Sequence, residues 1–167
     1  TLDVLERASY IANKEWIDEE MQELIHIAAL FHDVWYIEQY DENEFIWCKI
    51  AEYFLLKNDI PKDKIDIVKE IIIATIPSKL PISKPCCIIK DADMDNLWRD
   101  DFWDKNKELF NEVKKQKNLD INEKTWLESS LKLLENCEFY TKTQQEERAE
   151  QFQKNKNELK EAINSQS

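Results

Sequence analysis

The chain has 167 residues, 43% of them apolar, and a formal net charge of −12. That length and apolar fraction suit one globular domain with a real core and exclude a disordered or fibrous chain. The acidic balance argues against a binder of nucleic-acid backbone, which relies on clustered Lys and Arg, but leaves room for a small phosphorylated ligand, because a bound metal inverts the local field.

Four prolines, no glycine and an excess of helix formers predict an all-α fold. Leu2, Leu5, Ala8 and Ala12 stripe a first helix over residues 2–13. Asp18 is the expected N-cap of a second, with Glu19 and Glu20 suiting its first turn. Leu24, Ile27, Ala28 and Phe31 give that helix its apolar face, and it runs into His32-Asp33. A loop through Tyr40-Asp41 leads to a third helix over 43–57. Pro61 opens a fourth, carried by Ile65, Val68 and Ile72. Pro77, Pro81 and Pro85 mark a loop. Cys86–Leu97 reads as a fifth, buried helix. More polar helices are expected near 104–117, 122–139 and 142–164, with the last 25 residues projecting or loosely packed. Residues 1–140 form the expected core, with 141–167 a polar C-terminal helix.

No C-x-x-C pair exists among Cys48, Cys86, Cys87 and Cys137, so buried free thiols in a reducing compartment are expected rather than structural zinc. No signal peptide and no apolar run of membrane-spanning length is evident, which points to the cytoplasm and away from membranes. The chain opens at Thr1 rather than Met and is read as a fragment. No feature specifies an oligomeric state.

Two segments carry chemistry. His32 and Asp33 are about 100° apart around a helix end, so both can reach one ion, although a capped helix C-terminus with a satisfied His also explains the dipeptide taken alone. His26 lies about 240° from His32 and is expected to be structural or at the surface. The run Ile88-Ile89-Lys90-Asp91-Ala92-Asp93-Met94-Asp95-Asn96-Leu97 puts carboxylates on an otherwise apolar helix. There they need a partner or a cation. The D-x-D-x-D spacing suggests a calcium loop, but Asn96 stands where that loop needs Gly, and Phe102 where it needs a bidentate Glu.

The segment Ala28-Ala29-Leu30-Phe31-His32-Asp33-Val34 resembles the signature of the HD phosphohydrolase superfamily, and Asp91-Ala92-Asp93-Met94-Asp95-Asn96-Leu97 resembles its late DAD-x-x-x-L element. The resemblance covers roughly residues 1–100. It implies a helical bundle of about five core helices plus C-terminal helices. It also implies a divalent ion (Mn, Fe, Co, Ni or Mg) held by His32, Asp33 and Asp93, with Asp91 as neighbour or substitute. Two nitrogen donors with carboxylates suit a mid-series transition metal better than Mg. The family's first His ligand is expected just upstream of Thr1. Asp33 and Glu44 are the expected catalytic residues, Glu44 orienting a metal-bound water, although a helix-start carboxylate also explains it. The implied activity is phosphomonoester or phosphodiester hydrolysis on a small phosphorylated substrate, nucleotides included. Tyr36 and Ile37 replace the Glu-Asp of alarmone hydrolases, which marks that subclass down. Lys79, Lys84 and Arg99 border the Asp helix as candidate phosphate contacts, and Arg148 is expected on an exposed charged helix. The alternative is a degenerate HD module that binds a nucleotide or a protein partner without turnover. The bulk of Trp35 and the lack of a Lys at position 36 favour it.

Usage near 7% predicts about a dozen glycines in a chain of this length, yet there are none, beside six tryptophans. Trp35 and Trp98 stand where the family reads Gly, Trp16 where a helix ends, and Trp47 where relatives carry a small residue. Some bacterial lineages read UGA as glycine and others as tryptophan. Some of these four positions are therefore expected to be glycines, the alternative being genuine tryptophans in a glycine-poor protein.

Overall fold

The computed structural model describes residues 1–33, 43–117 and 122–165. The expected loop that follows Asp33, with Trp35, Tyr36 and Ile37, lies outside them. Among the described residues there are eight α-helices and no strand, as the composition requires. They are α1 (Leu2–Lys14), α2 (Glu19–Phe31), α3 (Asn43–Lys57), α4 (Lys62–Ala74), α5 (Lys84–Asp93), α6 (Phe102–Lys117), α7 (Glu123–Glu135) and α8 (Lys142–Ser165). None is long and apolar enough to cross a membrane.

The chain divides into two units, Thr1–Asp93 with Tyr140–Gln144, and Met94–Phe139 with Gln145–Ser167. In the first, α1 packs on α2 and α5, and α4 packs on α2, α3 and α5. Ile11, Ile25, Ala28, Ile65, Ile72, Ile88 and Ile89 are buried at their centre. The start of α2 follows its sequence signal, because the Asp18 carboxylate accepts from the Met21 N–H at 2.9 Å and satisfies an otherwise unpaired donor. The four cysteines are free thiols; Cys48 and Cys86 are buried, Cys87 and Cys137 half-buried.

Three expectations need correction. The fifth helix does not run to Leu97. It ends at Asp93, and a separate 3-10 turn covers Asp95–Leu97. Asp91, Asp93 and Asp95 would crowd negative charge on a helix C-terminus, where the macrodipole already places it. Pro85 belongs to the first turn of α5, where its missing N–H costs nothing. The C-terminal helix is not loosely packed: Phe152 and Leu159 are buried with Trp98, Phe102, Leu127 and Leu134 in the core of the second unit. Asn155 is buried there too, donating to the Leu97 and Arg99 carbonyls at 3.1 and 2.9 Å. Its few apolar residues fall on one stripe, which suffices when the rest of the helix faces water.

Lys90, although charged, is only 6% exposed. Its ammonium donates to the carbonyls of Ala74, Ile76 and Lys79 at 3.1, 2.7 and 2.8 Å. It thereby caps the last carbonyl of α4, which has no partner within the helix, and satisfies two carbonyls of the segment that follows. Lys90→Ala should lower unfolding free energy by about 2–4 kcal/mol, since buried carbonyls lose charged donors. Urea denaturation checks this, and an unchanged midpoint would refute the cap.

Candidate metal centre

His32 follows the last turn of α2 and is buried, while Asp93 is the last residue of α5. The two helices bring the His32 Nε2 to 3.4 Å from Asp93 Oδ1. The other ring nitrogen, Nδ1, lies 2.7 Å from the Ala29 carbonyl. A carbonyl only accepts, so Nδ1 carries the proton and Nε2 faces the carboxylate. This backbone contact sets ring orientation and leaves one nitrogen for an ion, as in His-ligated metal sites. Burial alone lowers the His32 pKa, but the Asp93 carboxylate and the Ala29 carbonyl outweigh it and leave the pKa above its ordinary value. Asp33 is half-buried; burial raises its pKa, opposed by the His32 charge and reinforced by that of Asp93. It therefore lies within the electrostatic reach of both.

The donor chemistry of this pair fits a divalent cation. Two ligands about 2.1 Å from one ion, at angles of about 90–110°, lie roughly 3.0–3.4 Å apart. Among the described residues, however, no three His, Cys, Asp or Glu side chains are gathered closely enough to hold a metal. The structure joins His32 to Asp93 and leaves Asp33 as a charged neighbour. Glu44 is half-buried in the first turn of α3, where a carboxylate complements the helix dipole.

Asp91 turns elsewhere. Residues two apart on a helix point about 200° from each other. The Asp91 carboxylate is 0% exposed. It accepts from the Tyr140 N–H at 3.0 Å and from the Thr141 N–H and hydroxyl, both at 2.7 Å. The Thr141 oxygen in turn accepts from the Gln144 N–H at 3.2 Å and so caps the start of α8. Arg7 of α1 donates to the Gln144 side chain at 2.9 Å through Nε. Burial pushes the Asp91 pKa up to about 6 against the pull of these donors.

Asp95 takes a third direction and receives a two-point contact from Arg148, at 2.9 and 3.2 Å. Arg148 is thus half-buried and committed rather than exposed, a correction that follows from the cost of an unpaired buried carboxylate. Of the candidate phosphate contacts, Arg99 pairs with Asp101, Lys84 sits 3.4 Å from Glu15, and Lys79 is exposed. His26 is structural, with Nε2 2.8 Å from the Ser9 hydroxyl.

Sequence reading missed Tyr140–Gln144 and Lys90. The signal for Lys90 is a lone cation directly after the apolar run Cys86–Ile89. None exists for the 140–144 segment, whose donors are mostly backbone.

The family model for the HD domain matches residues 1–95. The chain therefore belongs to the HD-domain family, a superfamily of metal-dependent phosphohydrolases. No curated protein and no solved structure matches it.

Asp91→Ala would strand three buried donors and should lower unfolding free energy by about 3 kcal/mol. Thermal or urea melts measure it. A loss below about 0.5 kcal/mol, the scale of an ordinary surface change, would contradict the clamp.

Proposed function

We propose that this chain hydrolyses a phosphomonoester or phosphodiester of a small molecule, nucleotides among the candidates, with His32, Asp33 and Asp93 holding a divalent ion of the Mn, Fe, Co, Ni or Mg class. The observation that carries this reading is the His32–Asp93 pair: a buried imidazole whose Nδ1 is tied to a backbone carbonyl, facing a carboxylate at ligand-to-ligand spacing. A bound ion of this kind supplies an activated water and neutralises charge on phosphoryl oxygens. The chain's own residues supply position. The buried face of α2 holds His32, and α5, anchored through Asp91 and Lys90, holds Asp93. Asp33, half-exposed beside the pair, is the group open to solvent and substrate. Glu44 is assigned to orienting water, and Asp91 to holding α5 rather than to ligation.

A second reading is a degenerate HD module that binds a nucleotide or partner without turnover. It is favoured by the lack of a three-residue ligand cluster among the described residues.

Titration with Mn²⁺ followed by calorimetry, and assays on p-nitrophenyl phosphate and its bis ester, separate the two. The hydrolase reading expects metal binding and turnover. His32→Ala and Asp93→Ala should each weaken the metal by more than about 100-fold, beyond the effect of losing a supporting residue, and reduce turnover to background. Asp91→Asn should weaken the metal by less than about 100-fold, as expected of a residue that holds α5 rather than of a ligand. A metal-free, inert protein sinks the hydrolase.

A further inference from the structure

Among the described residues the tryptophans fall into two groups by environment. Trp103 donates its indole N–H to Glu158 at 2.7 Å, and Trp126 donates to Asn106 at 2.8 Å. Both behave as half-buried tryptophans should, since the indole N–H is a donor that finds a partner.

Trp16, Trp47 and Trp98 do not. Trp16 has φ +59° and occupies the position just past the C-cap of α1. Its N–H donates to the Asn13 carbonyl at 3.2 Å, and the Ile17 N–H to the Ala12 carbonyl at 3.0 Å. This is the paired 5→2 and 6→1 closure whose left-handed residue is usually glycine. A Cβ is disfavoured there, and a bulky side chain most of all. The indole gains nothing in return, because Trp16 is 93% exposed. The same closure ends α3, with Asp59 at φ +57°. There the left-handed site holds a residue type that tolerates it.

Trp47 and Trp98 fail in the opposite way. They are 8% and 1% exposed. Among the described residues their indole N–H groups are the buried side-chain polar atoms with no hydrogen-bond partner, and such a donor loses its hydration uncompensated. Trp98 packs on Phe139 and Phe152, at ring separations of 4.6 and 6.0 Å. Those two rings also meet each other at 5.5 Å, so the aromatic contact does not depend on residue 98.

We propose that positions 16, 47 and 98 carry glycine in the protein its source organism makes, encoded by UGA codons read there as glycine, whereas 103 and 126 are true tryptophans encoded by UGG. One cause accounts for a left-handed exposed indole, two orphaned buried N–H groups and a chain with no glycine. It also explains why both partnered tryptophans lie outside the set.

The test is tandem mass spectrometry of tryptic peptides from the protein isolated from its source, with the codons read alongside. Glycine at 16, 47 and 98 with tryptophan at 103 and 126 is expected; tryptophan at any of the first three overturns the proposal. Recombinant chains from recoded genes give a second measurement. The W16G chain should melt about 2–4 °C higher than the tryptophan chain. The W16G/W47G/W98G chain should melt no lower than it. If these tryptophans belong to the protein, emptying a buried indole site instead costs roughly 10 °C or more, and that outcome overturns the proposal as well.

Discussion

The first unit is organised around a buried carboxylate that must be satisfied. Asp91 sits on the apolar helix α5 with no exposure to water. An ionised group there is tolerable only if fully hydrogen-bonded. The donors come from Tyr140 and Thr141, some fifty residues away in sequence. Tyr140–Gln144 thus belongs with the first unit, while the rest of α8 belongs with the second. Arg7 and Gln144 extend the same network to α1. Lys90, one residue earlier on α5, ties a second face of that helix, about 100° around, to the end of α4. Two buried charges of opposite sign therefore fix α5 on two faces, and α5 carries Asp93.

Helix geometry explains how three aspartates at i, i+2 and i+4 acquire three tasks. Successive odd positions point apart by about 200°, so Asp91 meets backbone donors and Asp93 meets His32. The helix ends after Asp93, and the change to a 3-10 turn turns Asp95 toward Arg148. A calcium loop would need all three to converge, and they diverge. The same divergence separates Asp91, whose carboxylate already has its donors, from the His32–Asp93 pair.

Much of the fold was legible because amphipathic spacing and caps are local. The N-cap Asp18, the boundaries of α1 and α3 and the starts of α2 and α4 all follow from a few adjacent residues. The failures share one cause. Helix α5 is shorter than its apolar pattern predicts, because that pattern continues through Leu97, while the accumulated charge that stops it competes only once the helix forms. The sparse apolar residues of the tail predict loose packing. Their burial depends on Leu97, Phe102 and Leu134, which lie elsewhere in the chain. The polar surroundings of Arg148 predict exposure, because nothing near it in sequence identifies Asp95 as its partner.

The sequence by itself determined the all-helical class, the HD-family motifs and the pairing of His32-Asp33 with an aspartate about sixty residues on, because those signals reside in short patterns and residue chemistry. Only the tertiary structure decided which aspartate faces His32, and that Asp91 serves the 140–144 segment. It also showed that Trp47 and Trp98 bury an indole N–H without a partner. These are properties of side-chain direction and desolvation, and neither exists until distant helices have packed and excluded water.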